Sequence, residues 1–402
     1  MEVCCFLDNN NYSFGYNTYE CILAAGVTTQ VSASAGDAFN QLQQFFFLEK
    51  DWIFGHLGYD LKNESEQLQS SHTDGIAFPD LFFFVPAFVV LVNNKEVLIG
   101  GSDISVIETV YEEICSAAIT EIIKQPPVQL ESRFTKKDYI IAVQQLQQHI
   151  LKGDCYEINF CQEFFSKGGL PDPLQLYISL CNISPNPFAA FYKINNKYLC
   201  CASPERYLKK VADKIISQPI KGTGPRDLTN EDKDCLNKQE LLSSIKERTE
   251  NVMIVDLVRN DLSKVSEEGS VNVEELYAIY SYPQVHQMIS TITGKINKDM
   301  TWVDALKATF PMGSMTGAPK KRVMELIEQY EKTKRGLFSG AVGYVTPDAD
   351  FDFNVVIRSV FFNLDQNYLS YQVGSAITSN SDPEKEYEEC LLKAAAIKAV
   401  LS

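Results

Sequence analysis

An α+β fold built on large antiparallel sheets is the class this sequence predicts, and three observations carry it. Short stretches with apolar residues at alternate positions come in consecutive runs, the pattern of strands that pair with their sequence neighbours. Helical stretches stand between such runs instead of following every strand, which argues against a doubly wound parallel sheet. At 402 residues the chain is too long for one small core, so it requires one large two-layer body or two closely packed halves.

The elements follow in chain order. The first part is rich in aromatics and short apolar runs, such as LFFFVPAFVVLV over residues 81–92. KQPPVQLE (124–131) is the best linker candidate, because two prolines interrupt helix and sheet alike. It separates an N-terminal portion, residues 1–130, from a motif-dense portion, residues 131–402. Thr135, with Asp138 three residues on, opens a helix that stops at Gly153. Residues 155–164 alternate as a strand. Runs 187–194 and 197–202 form a hairpin about Asn195-Asn196, and a third strand covers 214–219. One long helical stretch spans about 232–265. Strands return at 271–279 and 285–293. Helices over 302–309 and 320–330 flank a glycine-rich loop. Strands near 338–345, 353–362 and 368–378 precede a final helix over 382–401.

Bulk composition narrows the function classes. A net charge of −16 makes nucleic acid and anionic membrane surfaces poor partners. An anionic substrate would need local compensation from a few Arg or Lys residues, backbone N–H groups or a divalent cation. No run of about 18 apolar residues exists, and the start lacks a secretory pattern, so a cytoplasmic protein is expected. The 11 scattered cysteines read as reduced thiols, with no paired CxxC spacing for zinc.

Four constellations could carry chemistry. The loop FPMGSMTGAPK (310–320) has small residues, and Pro319 stands at a favoured first-turn position; it is equally an anion cradle or a tight connection. Glu247 and Glu250 stand i, i+3 on a helix, as do Glu386 and Glu389. Such pairs are most often a solvated face, but if the two pairs met they would form a hard-oxygen site suited to Mg²⁺. Lys221, at a strand end beside Gly222, is either a nucleophile near a carboxylate or one more surface lysine. Arg358, placed mid-strand in an apolar run, suits a carboxylate or a structural salt bridge.

The strings SPERY, PIKGTGPR, ERTENVMIVDLVRNDLSKV, FPMGSMTGAPK, SGAVGY, IRS and SDPEKEYEE stand in an order that resembles the chorismate-utilising enzymes over residues 134–402. GHLGYD (55–60) resembles a motif of the amino-transferring members. The resemblance implies the fold of anthranilate synthase component I, with two large antiparallel sheets packed as a sandwich and helices outside. It implies Mg²⁺ held by Glu250 and Glu389, with Glu247 and Glu386 beside them. Arg358, Tyr344 and the backbone around Gly374, Ser375 and Ala376 would bind a substrate carboxylate. Ser314 and Lys320 would line the pocket, and Thr223 would touch the substrate.

The same resemblance points to one branch. Lys221 in PIKGT is similar to aminodeoxychorismate synthase component I, where anthranilate and isochorismate synthases usually carry alanine. It implies attack by the lysine amine at C2 of chorismate, with Glu205 protonating the C4 hydroxyl as it leaves. Ammonia then enters at C4. Isochorismate-type enzymes carry a water-activating lysine where this chain has Glu157, and a glutamine is otherwise expected there. Gln287 stands in place of a histidine associated with pyruvate elimination. In Gly374-Ser375-Ala376, Ser and Ala replace glycines, at a cost if φ is positive there. The chain carries no glutaminase module, so ammonia is expected from a separate glutamine amidotransferase. The rivals are anthranilate synthase component I and, in another class, a non-catalytic subunit that binds chorismate or tryptophan. Intact Lys221, Glu205 and both glutamate pairs argue against the latter.

Overall fold

A computed structural model describes residues 1–12, 16, 18–101, 103–118, 121–282 and 285–402. Two antiparallel sheets of 11 and 10 strands form its centre. The larger runs Gly317–Ala318, Glu157–Lys167, Tyr368–Ile377, Ser359–Asn363, Lys197–Ser203, Phe188–Ile194, Val3–Asp8, Cys21–Ala25, Phe88–Val92 and Val97–Gly101, with Glu131–Ser132 also paired to Glu157–Lys167. The smaller runs Ile220–Pro225, Val285–Lys295, Lys214–Gln218, Arg206–Val211, Phe351–Asn354, Ala341–Val345, Ile53–Leu57, Leu81–Val85 and Thr29–Ala33, with Asn272–Ser281 beside Val285–Lys295. Strands from before and after the 124–131 segment share both sheets. The α+β sandwich of large antiparallel sheets is the expected class.

Burial explains the layering. Inner-face side chains Phe54, Phe82 and Phe84 of the smaller sheet meet Cys161, Phe165 and Tyr192 of the larger in one hydrophobic core cluster. His56 Nδ1 and Tyr192 Oη, 3.0 Å apart, join the two sheets. Each such aromatic, fully removed from water, contributes about 1.5–3 kcal/mol. A second cluster packs the other face of the larger sheet against helices Lys136–Leu151, Pro173–Ile183, Lys320–Tyr330 and Pro383–Lys393.

Several elements differ from the sequence expectation. The expected 232–265 helix is two helices, Glu231–Ser243 and Ile245–Ser263; Ser244 is extended and caps the second by accepting from Glu247 N. The final helix divides at Ala394. Pro319 is the cap of its helix, one residue before the first turn. The expected 353–362 strand is two strands on different sheets, Phe351–Asn354 and Ser359–Asn363. Arg358 therefore lies in a crossover at φ 51°, not mid-strand. Arg206–Val211, unforeseen in the sequence, is a strand whose buried Arg206 pairs with Asp352 at 2.9 Å. PIKGT does not end the preceding strand; Ile220–Pro225 is a strand of its own.

Candidate active site

The site forms where the chain passes between the sheets. Pro204 and Glu205 link the Lys197–Ser203 strand of the larger sheet to Arg206–Val211 of the smaller, while residues 355–358 cross in the opposite direction. The two crossovers are tied together by Val355 N donating to Glu205 O at 3.0 Å and Ala202 N donating to Arg358 O at 3.3 Å. An acid and a cation thus face one region. Glu205 is buried, and burial pushes its carboxyl up to about 7 against the opposing pull of the Ser314 hydroxyl, Lys221, the Ile220 backbone and Arg358. Ser314 Oγ lies close enough to favour the anion, yet it makes no hydrogen bond of good geometry among the described residues. Burial also lowers the Arg358 guanidinium, which Tyr282 and Glu205 hold up.

Lys221 enters from the Ile220–Pro225 strand. Its side chain is 11% exposed, and Nζ donates to Glu157 Oε1 at 2.6 Å. Burial opposes its charge, but Glu157, Glu250 and Glu205 outweigh burial and hold the amine above the ordinary lysine value. The surroundings therefore keep Lys221 an ammonium. Gly222, at φ 98°, lets the strand pass Glu247; a Cβ there would stand 3.1 Å from Glu247 Oε2. Thr223 follows, exposed, with its backbone opposite Gln287. Gln287 is fully buried, and neither atom of its side-chain amide has a partner among the described residues. His286 points elsewhere, to Asp234 and Ser281.

The glycine-rich loop closes the site against the Glu157–Lys167 strand. Gly317 and Ala318 pair with Ile158 and Glu157, and a Cβ on Gly317 would lie 2.1 Å from Glu157 O. Asn159 Nδ2 donates to Ser314 O at 3.0 Å. Buried Arg335, paired with Glu331, donates to Met315 O at 2.7 Å and Asn159 O at 2.8 Å, locking loop to strand. On the far side of that strand, Gly374, Ser375 and Ala376 lie opposite Cys161, Phe160 and Asn159. None of the three has a positive φ, so Ser375 and Ala376 carry no backbone penalty; Ser375 Oγ turns to the Tyr139 hydroxyl, 3.3 Å away.

The two glutamate pairs approach each other. The exposed Lys246 ammonium is held up, against some burial, by Glu250, Glu386, Glu389 and Glu247 together, so all four act on one cation. Burial raises Glu250 to about 7, with Glu157 and Glu247 adding to the rise and Lys221 opposing it. Burial raises Glu247 as well, and Glu389 adds to it. Glu389 is lowered despite burial because Lys393 lies 2.8 Å away. This is hard-oxygen chemistry with surplus negative charge, the donor type that suits Mg²⁺. Among the described residues, however, no three His, Cys, Asp or Glu side chains stand at metal-ligand spacing.

Two expected substrate contacts lie elsewhere. Lys320 is buried in an ion pair with Asp261 and donates to Thr309 O at 3.0 Å, so its amine is committed to the fold. Tyr344 packs on Trp52, Tyr19 and Phe54 and lines a separate cleft with Asp8, Thr18, Phe188, Asp352 and Asn354. The sequence reading assigned Glu157 only the absence of a base and missed its ion pair with Lys221; its place on the polar side of an alternating strand was the available signal.

Comparison with known proteins places this arrangement. The model of a chorismate binding enzyme family matches residues 4–399. The chain belongs to that family. It is 36% identical over 406 residues to the probable chloroplastic aminodeoxychorismate synthase of Oryza sativa subsp. japonica, covering 89% of this chain and 45% of that protein. It is 32% identical over 361 residues to aminodeoxychorismate synthase component 1 of Bacillus subtilis (strain 168), covering 86% and 76%. The chain thus spans less than half of the plant relative and three quarters of the bacterial one. In structure it is similar to anthranilate synthase component I from Streptococcus pneumoniae TIGR4, with TM-score 0.83 and 25% identity over 96% of this chain and 95% of that one. Among the described residues, no helix is long and apolar enough to cross a membrane.

Proposed function

We propose that this family member is component I of an aminodeoxychorismate synthase, a cytoplasmic enzyme that aminates chorismate at C4. The observation that carries this reading is Lys221, enclosed in the site within electrostatic reach of Glu205. A carboxyl pushed to about 7 is half protonated at neutral pH, as a general acid must be. Hydroxide is a poor leaving group, so departure of the C4 hydroxyl needs that proton.

The residues divide the work. Lys221 Nζ forms a bond to C2 as the C4–O bond breaks, and Glu205 delivers its proton to the leaving oxygen. Ammonia then bonds to C4 and the lysine amine departs from C2. The Arg358 guanidinium makes no hydrogen bond or ion pair among the described residues, so it is available to a substrate carboxylate. Thr223 and the Gly374–Ala376 backbone would contact the substrate. Mg²⁺, held by Glu250 and Glu389 with Glu247 and Glu386 alongside, would supply positive charge against the ring carboxylate that this acidic chain otherwise lacks. A separate glutamine amidotransferase would supply ammonia.

Incubation with chorismate, Mg²⁺ and ammonium tests the reading by product analysis. Aminodeoxychorismate without pyruvate supports it. Fluorescent anthranilate with an equivalent of pyruvate would make the chain an anthranilate synthase component I instead.

A further inference from the structure

Glu157 and Lys221 depend on each other. Glu157 is 1% exposed; one carboxylate oxygen accepts from Lys221 Nζ at 2.6 Å, and the other, Oε2, is buried with no partner among the described residues. Among the described residues, Lys221 makes no other ion pair or side-chain hydrogen bond. Its remaining charged neighbours act at longer range: Glu250 from the Ile245–Ser263 helix and Glu205 from the crossover, with Glu247 and Glu389 sensing Lys221 in turn. The backbone of Glu157 is fixed by the Gly317–Ala318 pairing, so this acid cannot drift from the amine.

We propose that Glu157 is a positioning residue for Lys221: its carboxylate pins the amine as an ammonium against the Glu157–Lys167 strand, and this ion pair must be discharged before the amine can react. Discharge moves one proton from Nζ to Glu157, leaving a neutral amine and a neutral carboxyl; both charges vanish together. A dry site favours that neutral pair once other charges nearby are compensated. The inference deepens the amination reading, on which it rests for the identity of the electrophile, but the ion pair itself can be tested without chorismate.

The test uses the full chain and trace acetic anhydride as the probe. Acetylation of Lys221 is followed by peptide mass spectrometry from pH 6 to 11, with exposed Lys298 as the internal reference. In the wild type, Lys221 should label with a midpoint above that of Lys298. In Glu157→Gln the midpoint should fall by about 1–3 pH units, the range expected for losing one close opposite charge, and labelling at pH 8 should rise about tenfold or more. Glu157→Asp keeps the charge but shortens its reach, so it should fall between the two and serves as the readout if the Gln variant folds poorly. An unchanged Lys221 midpoint in either folded variant overturns the proposal. Ammonia-dependent turnover that survives Lys221→Ala would instead refute the covalent lysine route and leave the labelling result standing.

Discussion

Glu205→Gln separates a catalytic cost from a stability gain. In the wild type the Glu205 carboxyl rises from 4.5 to about 7 because it is buried. The folded state therefore holds this proton more tightly than the unfolded chain. Stability from the group is fully present below pH 4.5 and is lost as pH climbs through about 7. At about 1.4 kcal/mol per pH unit, the loss is about 3 kcal/mol by pH 8. An uncharged glutamine of nearly the same shape escapes it. Glu205→Gln should thus be more stable than wild type by about 3 kcal/mol at pH 8 and nearly equal at pH 4.5. Other titrating groups, Glu250 among them, are common to both proteins and largely cancel. Urea unfolding at the two pH values measures the difference. In the same variant, kcat should fall about 10²–10⁴-fold, and the wild-type decline in rate above pH 7 should disappear. Equal stability differences at both pH values, or a variant less stable at pH 8, would refute the assignment of Glu205 as a buried acid.

Three further substitutions probe the surroundings. Arg358→Ala should raise the KM for chorismate about 10–100-fold, the worth of a hydrogen bond to a charged group, while changing the unfolding midpoint little because no ion pair is lost. Asp261→Asn should do the opposite: urea unfolding should show a loss of about 3–5 kcal/mol, because the buried Lys320 ammonium loses its carboxylate, with KM unchanged. Gly222→Ala should cost about 1–3 kcal/mol through its φ of 98° and crowd Glu247, so thermal melting should drop together with activity.

Much of this fold is legible where local signals agree. The helices over 302–309 and 320–330 stand where periodicity placed them, and the Thr135 cap and the Asn195-Asn196 hairpin match their sequence signals. The Ser244 break was legible too, since Ser-x-x-Glu over 244–247 is a capping signature inside a run that otherwise reads as one helix. The error at Arg358 has a different origin. FDFNVVIRSVFF is largely apolar because both sheets bury it, so periodicity does not show that it changes sheets. Asn354, one of its polar residues, accepts from Val342 N and donates to Phe188 O, one partner on each sheet. Lys221 and Glu205 were found by the order of motifs; what motifs could not give was the protonation of the amine, which depends on Glu157 from 64 residues away. Tyr344 was misplaced for a related reason. Its motif lies on the same strand-rich stretch as Arg358, yet its side chain packs in the cluster around Trp52.

A covalent role for the Lys221 amine is read directly by intact-protein mass spectrometry with chorismate and Mg²⁺ but no ammonia. The wild type should gain the mass of chorismate less one water, mapped to the peptide carrying residue 221, and added ammonium should discharge it. Lys221→Ala should gain nothing. A wild-type protein that turns over with ammonium yet never carries the adduct, or a Lys221→Ala variant that turns over undiminished, would contradict the account.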